Sequence, residues 1–148
     1  MNNIDIVPLT LNDVNKIKEI ENSQGVNIIS KESIISDLNN NTVKYYGLKL
    51  DKKIIGYIAF DYIFENMDIH SIVIYKAYER NGYGKMLLNF AFDVAKTNGV
   101  LNVFLEVRTS NTKAISLYEK IGFKYINTRY NYYNDTHEDA FIYKKMID

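Results

Sequence analysis

The sequence predicts a mixed α/β domain with the element order β-α-α-β-β-β-α-β-α-β-β. Three observations predict it. Residues 43–75 hold three strand-like runs separated by two-residue turns, the pattern of an antiparallel meander. Gly82 and Gly84 then open a stretch with helical apolar spacing. Leu101 to Arg108 alternates strictly, with Leu101, Val103, Leu105 and Val107 on one face and Asn102, Phe104, Glu106 and Arg108 on the other.

Each element has its own signal. Ile4 to Leu9 alternates loosely and reads as a first short strand. Thr10 is placed as an N-cap, with Asp13 three residues on in a variant of the capping box. Leu11, Val14, Ile17, Lys18 and Ile20 carry a helix to Asn22, and Gly25 breaks it. Ser30 caps a second short helix with Ile34, Ile35 and Leu38 as its stripe, ended by Asn39-Asn40-Asn41. The meander is Val43 to Leu50, the turn Asp51-Lys52, Lys53 to Phe64, the turn Glu65-Asn66, and Met67 to Tyr75. The long helix has Met86, Leu87, Phe90, Ala91, Val94 and Ala95 on its inner face and Gly99 after its end. Asn111 caps a last helix carrying Ala114, Ile115, Tyr118 and Ile121, which Gly122 stops. Phe123 to Arg129 and Glu138 to Met146 close the chain as two strands around Asn134-Asp135-Thr136.

The bulk properties bound the function. A chain of 148 residues fits a single domain, residues 1–148, and buries enough surface to fold without staples. Lys plus Arg equals Asp plus Glu at 18 each, so direct nucleic-acid binding is not expected. The absence of cysteine suits a reducing compartment and excludes a thiolate metal site or an acyl-cysteine intermediate. No apolar run nears the roughly 20 residues that span a bilayer. Met1-Asn2-Asn3-Ile4-Asp5 has neither a basic start nor a hydrophobic signal core, so a cytoplasmic location without membrane association is expected. His70 and His137 are too few and too separated to suggest a metal site, and none is expected.

Two constellations carry chemistry. In Glu79-Arg80-Asn81-Gly82-Tyr83-Gly84-Lys85 the glycines let successive N–H groups point inward at one spot, and the following helix N-terminus adds partial positive charge. Together these suit a pyrophosphate. Taken alone, the same residues read more readily as a turn that merely starts a helix. A dinucleotide fingerprint is rejected because Leu87 stands where its third glycine belongs, and the P-loop pattern is absent. The second constellation is Leu105-Glu106-Val107-Arg108 with Asn111, followed by Ala114-Ile115, Leu117-Tyr118 and Gly122-Phe123. From the residues alone, Glu106 is either a solvated strand carboxylate, a partner of Arg108, or a base. Tyr118 packs its ring in the core under any reading, and only its hydroxyl is open. The tyrosines near the C-terminus either line an acceptor groove or are strand aromatics.

These motifs, in this order and spacing, resemble the GNAT (Gcn5-related N-acetyltransferase) superfamily, and within it the RimI branch of ribosomal-protein-alanine N-acetyltransferases. Tyr132-Tyr133-Asn134-Asp135-Thr136-His137-Glu138-Asp139-Ala140 also resembles that branch's ending, so the match runs from Ile4 to Met146. The resemblance implies the acyl-CoA N-acyltransferase fold, a mixed and mostly antiparallel sheet of about seven strands flanked by about four helices. In that fold the fourth and fifth strands splay to admit the coenzyme arm. It implies acetyl-CoA as co-substrate with no metal, and direct transfer in a ternary complex. Backbone groups of Ile72, Val73 and Ile74 would hold the acetyl carbonyl and pantetheine. Arg80, Asn81, Gly82, Tyr83, Gly84 and Lys85 would cradle the pyrophosphate, and Asn111 would contact the coenzyme arm. Glu106 matches the general base and Tyr118 the general acid. The implied acceptor is a protein N-terminus, above all the alanine of small-subunit ribosomal protein eighteen, and the implied state is a monomer or weak dimer.

The chemistry of the residues agrees with that assignment. An α-amine with a pKa near 7.7–8.0 must lose a proton before it attacks, and the departing thiolate gains from a proton. Alternatives are another peptide N-terminus, a lysine or a small amine as acceptor, or a non-catalytic module that binds acyl-CoA. The chain departs from the pattern at Glu79, where Gln or Arg is usual, and at Lys76, where proline is common. It also departs at Gly25 to Ser30, which lacks the Pro-Trp pair of the acceptor-facing loop.

Overall fold

The structure, a computed structural model, describes residues 3–148. Met1 and Asn2, at the head of the segment expected to lack a signal, lie outside the described residues. The strands are β1 (Ile4–Pro8), β2 (Lys44–Leu50), β3 (Lys53–Ile63), β4 (Asn66–Ile74), β5 (Asn102–Arg108), β6 (Lys124–Arg129) and β7 (Ala140–Met146). The helices are α1 (Val14–Ser23), α2 (Lys31–Asn40), α3 (Tyr83–Thr97) and α4 (Thr112–Ile121), with 3-10 turns at Leu11–Asp13 and Lys76–Tyr78. The strand order is β1-β2-β3-β4-β5-β7-β6. β4 and β5 are parallel, as the helical crossover between them requires, and the pairs β1–β2, β2–β3, β5–β7 and β6–β7 are antiparallel. This is the mixed, mostly antiparallel sheet of the expected fold.

The chain groups into two compact units, Met1–Asp61 with His70–Ala91, and Tyr62–Ile69 with Phe92–Asp148. In the first, Thr10 closes its capping box with Asp13: the Thr10 amide donates to Asp13 Oδ2 at 2.8 Å and Thr10 Oγ1 accepts from Asn12 at 3.3 Å. The turn so capped is 3-10, and the α-helix proper starts at Val14. Ser30 caps α2 by accepting from Ser33 N at 3.1 Å. Leu9, Val14, Ile17, Ile20, Ile34, Tyr45, Tyr57, Ala59 and Val73 form one core cluster. Its side chains are those that helical spacing on α1 and α2 and alternation on β2 to β4 turn inward.

Inside this core lies a carboxylate the apolar pattern conceals. Glu21, next after Ile20 on α1, is fully buried. Its Oε2 accepts from the Tyr57 hydroxyl at 2.5 Å, and Ser71 Oγ donates to that hydroxyl at 3.0 Å. Its Oε1 accepts from Lys18 Nζ at 2.6 Å and from the Ile28 amide at 3.2 Å. Burial, reinforced by the Glu21 charge and hydrogen bond, pushes the Tyr57 phenol far up. Lys18 Nζ spends its other donors on Asn27 Oδ1 at 2.6 Å and the Ile29 carbonyl at 2.7 Å, which fixes residues 27–29 after α1. The buried Glu21 charge is thereby paired.

In the second unit the β4–β5 ladder runs from Asn66↔Asn102 to Ile69↔Leu105, while β5 continues to Arg108 on its β7 ladder. Val103, Leu105 and Val107 are buried and Asn102, Phe104, Glu106 and Arg108 are half-exposed, as the alternation requires. Phe123 is buried, with its ring centroid 5.9 Å from Phe92 and 5.8 Å from Tyr118.

Some expectations shift. Leu101 is exposed, because the strand starts at Asn102 and both their amides turn aside to the Glu65 carbonyl at 2.8 and 2.9 Å. The β3–β4 turn is Phe64-Glu65 and not Glu65-Asn66, since Phe64 takes the left-handed conformation at φ 54°. Ile35 and Met86 are exposed, and Leu88 is buried in place of Met86. Residues 130–139 form a long loop, so β7 begins at Ala140 and not at Glu138. Among the described residues no helix is long and apolar enough to cross a membrane, and no cluster of His, Asp and Glu could hold a metal ion.

Candidate active site

The expected coenzyme residues Ile72 to Lys85 all fall in the first unit. Val73 points into the core while Ile72 and Ile74 are half-buried. A Cβ on Gly56 would stand 3.1 Å from the Val73 carbonyl and 2.6 Å from Ile74 Cδ1, so only glycine lets β3 lie this close to the segment. The end of β4 is held from two sides. Gln24 Nε2 donates to the Ile74 carbonyl at 2.8 Å, and the Tyr75 amide donates to the Ile55 carbonyl at 2.7 Å. The Lys76 amide donates to Ser23 Oγ at 3.0 Å, so α1 latches the exit of β4.

After the Lys76–Tyr78 turn the chain curls. Asn81 Nδ2 donates to the carbonyls of Tyr78 and Glu79, both at 3.0 Å. Arg80 and Gly82 both take positive φ, 65° and 78°. Nothing lies within 4 Å of a Cβ added at Gly82, so its backbone conformation, not crowding, calls for glycine. The Gly82 carbonyl accepts from Met86 N at 3.1 Å and starts α3. Among the described residues the amides of Tyr83, Gly84 and Lys85 make no hydrogen bond, and the side chains of Arg80 and Lys85 are exposed beside them. Three unbonded amides at the start of a 15-residue helix, flanked by two cations, fit a diphosphate.

The expected catalytic pair lies in the second unit. Glu106, on β5, accepts from Arg129 Nε at 3.0 Å through Oε1. Interaction with the Glu106 carboxylate, then burial, pushes the Tyr132 phenol up to about 12. Glu106 is therefore not the partner of Arg108. Arg108, two residues on along the same face, donates to Asp135 at 2.9 and 3.1 Å and to Thr136 Oγ1 at 3.2 Å, and approaches Glu138 at 3.5 Å. It also stacks over the Tyr133 ring at 3.9 Å. Tyr133 feels the charges of Arg108, Glu106, Glu138 and Asp135, but burial dominates and pushes its phenol up.

Tyr118, on α4, has a buried ring, and its hydroxyl bonds no other described residue. Burial first, and then Tyr133, pushes that phenol up to about 12. Tyr118 thus keeps its proton at every physiological pH. Asn111 uses its side chain as the α4 cap, accepting from Ala114 N at 3.2 Å.

An acetyltransferase (GNAT) family model matches residues 13–123. The chain belongs to that family. The GNAT chain is 36% identical over 107 residues to a [ribosomal protein bS18]-alanine N-acetyltransferase of Salmonella typhimurium, covering 70% of this chain and 72% of the relative. It is 32% identical over 123 residues to the enzyme of the same name from Haemophilus ducreyi, covering 82% and 83%. The crystal structure of the ribosomal-protein-S18-alanine N-acetyltransferase from Escherichia coli superposes with a TM-score of 0.87 at 29% identity, covering 100% of this chain and 95% of that one. The GNAT chain is accordingly an acetyl-CoA-dependent N-acetyltransferase of the RimI branch.

Motif reading of this GNAT chain singles out Glu106 and Tyr118 as expected catalytic residues but does not reach the side chains around them. Arg129 and Tyr132, the partners of Glu106, sit at and beyond the end of β6, far from β5 in sequence. The only available signal was the pair of tyrosines that follows Arg129 in the tail. Lys18 is counted by spacing with the residues that carry α1, Glu21 is not singled out, and no local pattern marks the burial of Glu21.

Proposed function

We propose that this N-acetyltransferase acts on the N-terminal α-amine of a protein, and that the alanine of small-subunit ribosomal protein bS18 is its favoured acceptor. The observation that carries the reading is the second unit's cluster. One carboxylate, Glu106, is half-exposed on β5, and one phenol, Tyr118, has a buried ring and an unbonded hydroxyl on α4. That pairing provides a proton acceptor and a proton donor at neutral pH. The acceptor class rests on the relatives, whose names specify the bS18 alanine.

In this reading bound acetyl-CoA supplies an already activated thioester. The amides of Tyr83, Gly84 and Lys85, with Arg80, Asn81 and Gly82, hold its diphosphate. The Ile72–Ile74 backbone aligns the pantetheine, and Asn111 contacts the arm. Glu106 takes the proton from the acceptor amine, directly or through water, as the N–C bond forms. Tyr118 gives its proton to the sulfur as the C–S bond breaks. Residues 1–148 act as one N-acetyltransferase domain, in the cytoplasm, as a monomer or weak dimer, with no direct role for nucleic acid or membrane.

The test is thiol release from acetyl-CoA against N-terminal peptides, lysine peptides and polyamines. An alanine-first peptide of bS18 type is expected to give the highest kcat/KM. Preference for a polyamine or lysine would replace the acceptor assignment, and inertness toward all amines would leave a binding module.

A further inference from the structure

We infer that Arg129 is a specificity-determining residue: its guanidinium occupies the cation subsite on Glu106 that the acceptor's ammonium takes when it binds. The inference deepens the reading above and rests on Glu106 as the base. Arg129 Nε lies 3.0 Å from Glu106 Oε1, and its guanidinium is 5.9 Å from the Tyr132 ring centroid. An acceptor amine near neutral pH arrives largely as an ammonium. It carries the same charge as the guanidinium and must reach the same carboxylate, so the two compete.

The rest of the geometry allows the exchange. Arg129 is the last residue of β6, its side chain is 55% exposed, and the chain beyond it runs into the exposed Tyr130 and the left-handed Asn131. A partly exposed ion pair of this kind is weak and can open during turnover. Arg108, another cation on this face of the sheet, cannot take over the role, because Asp135, Glu138 and the Tyr133 ring hold it. In the same placement the guanidinium stands 5.9 Å from the Tyr132 ring centroid, an attraction that does not depend on the Glu106 contact. The pair therefore sets a threshold: a cationic amine displaces Arg129, whereas an uncharged group has nothing to gain there.

The experiment uses the full chain with an alanine-first peptide, and with the same peptide trimethylated or acetylated at its N-terminus as unreactive probes. Wild type, Glu106→Gln, Arg129→Gln and Arg129→Lys are compared for KM, kcat and probe dissociation constants. Arg129→Gln should lower KM, and the Kd of the trimethylated probe, by roughly three- to five-fold, the scale of one partly exposed charge. The acetylated probe should bind Arg129→Gln and wild type alike, and Arg129→Lys should restore the higher KM. A KM that is unchanged or raised in Arg129→Gln, with Glu106→Gln inactive, overturns the inference alone. Full turnover by Glu106→Gln, or inertness of the wild type, overturns the base assignment and this inference with it. An equal gain for the acetylated probe would show steric blocking in place of charge competition and also overturns it.

Discussion

The guanidinium of Arg108 lies 3.9 Å from the ring centroid of Tyr133 and is fastened to Asp135 by two hydrogen bonds, of 2.9 and 3.1 Å. One side chain at the end of β5 thus ties down the loop that carries Tyr132 and Tyr133. Glu138 completes the clamp by accepting from the Ser110 amide at 2.7 Å and from Thr109 Oγ1 at 3.3 Å. Arg108→Gln should raise hydrogen exchange across residues 130–139 and at Ser110 by about ten-fold, with little change elsewhere, because exposed ion pairs add little global stability. Uniform exchange across the variant would show that the loop is held by something other than Arg108.

Acid should release the same loop. The Ser110 and Thr109 hydrogen bonds and Arg108 hold the Glu138 carboxyl below its usual range. At Asp135 desolvation, the largest single effect, raises the pKa but is outweighed by Arg108 and the Thr136 amide together, with the same result. A carboxyl whose folded pKa is depressed contributes stability above its unfolded pKa and loses it as pH falls through the folded value. Protection factors in residues 130–139 should therefore begin to fall below about pH 4 and keep falling with further acid, while the core of β5 and β7 stays protected. Loop protection that falls no faster than that of the core over the whole acid range would refute the clamp.

How far these features were legible in the sequence depended on the range of the interaction. The Thr10 and Ser30 caps, the Asp51-Lys52 turn and the β5 alternation are local, and each was readable from neighbours a few residues apart. Glu106 and Tyr118 stand out as expected site residues because motif spacing marks them. Arg129 and Arg108 were not, because which carboxylate each meets depends on the register of β5, β7 and β6: Glu106 faces Ile142, and Ile142 faces Asn127 across a bulge. Glu21 was hidden for a different reason. On an amphipathic helix a glutamate at the edge of the apolar stripe reads as solvated, and only the tertiary approach of Tyr57 and Lys18 makes its burial tolerable.

The Lys18–Glu21 pair gives a stability test. Lys18→Met keeps the aliphatic stem but leaves a fully buried carboxylate without its cation. Removing one partner of a buried pair typically costs about 3–5 kcal/mol. The Lys18 side chain is still 18% exposed, which sets the expectation at the lower end of that range. The urea midpoint should fall accordingly, and Lys18→Met with Glu21→Gln should recover part of the loss. A Lys18→Met midpoint equal to wild type would mean that Tyr57 and the Ile28 amide satisfy Glu21 by themselves.

Gly82 offers a test of the diphosphate cradle. Its φ of 78° costs a β-branched residue at least about 1–2 kcal/mol. No atom stands in the way of a side chain, so Gly82→Val should act by turning the Tyr83, Gly84 and Lys85 amides away and not by a clash. Acetyl-CoA affinity should fall by roughly ten-fold or more, the same strain expressed as binding, while the KM for the amine acceptor changes little. Unaltered coenzyme affinity would place the diphosphate elsewhere.

The pH–rate profile tests the proton donor. The acceptor amine must be deprotonated to attack, so kcat/KM should climb with pH and level off above about 8. Burial, and then Tyr133, pushes the Tyr118 phenol up to about 12, so its neutral form persists throughout the usable range. No alkaline downturn should appear before about pH 9.5, although an unshifted tyrosine near 10 would already have begun to lose its proton there. Tyr118→Phe should keep the acid limb and the coenzyme affinity but lower kcat by roughly 10²-fold, and Glu106→Gln should do the same to kcat. A profile that falls with a midpoint near 9, or a Tyr118→Phe variant with wild-type kcat, would assign proton donation to another group.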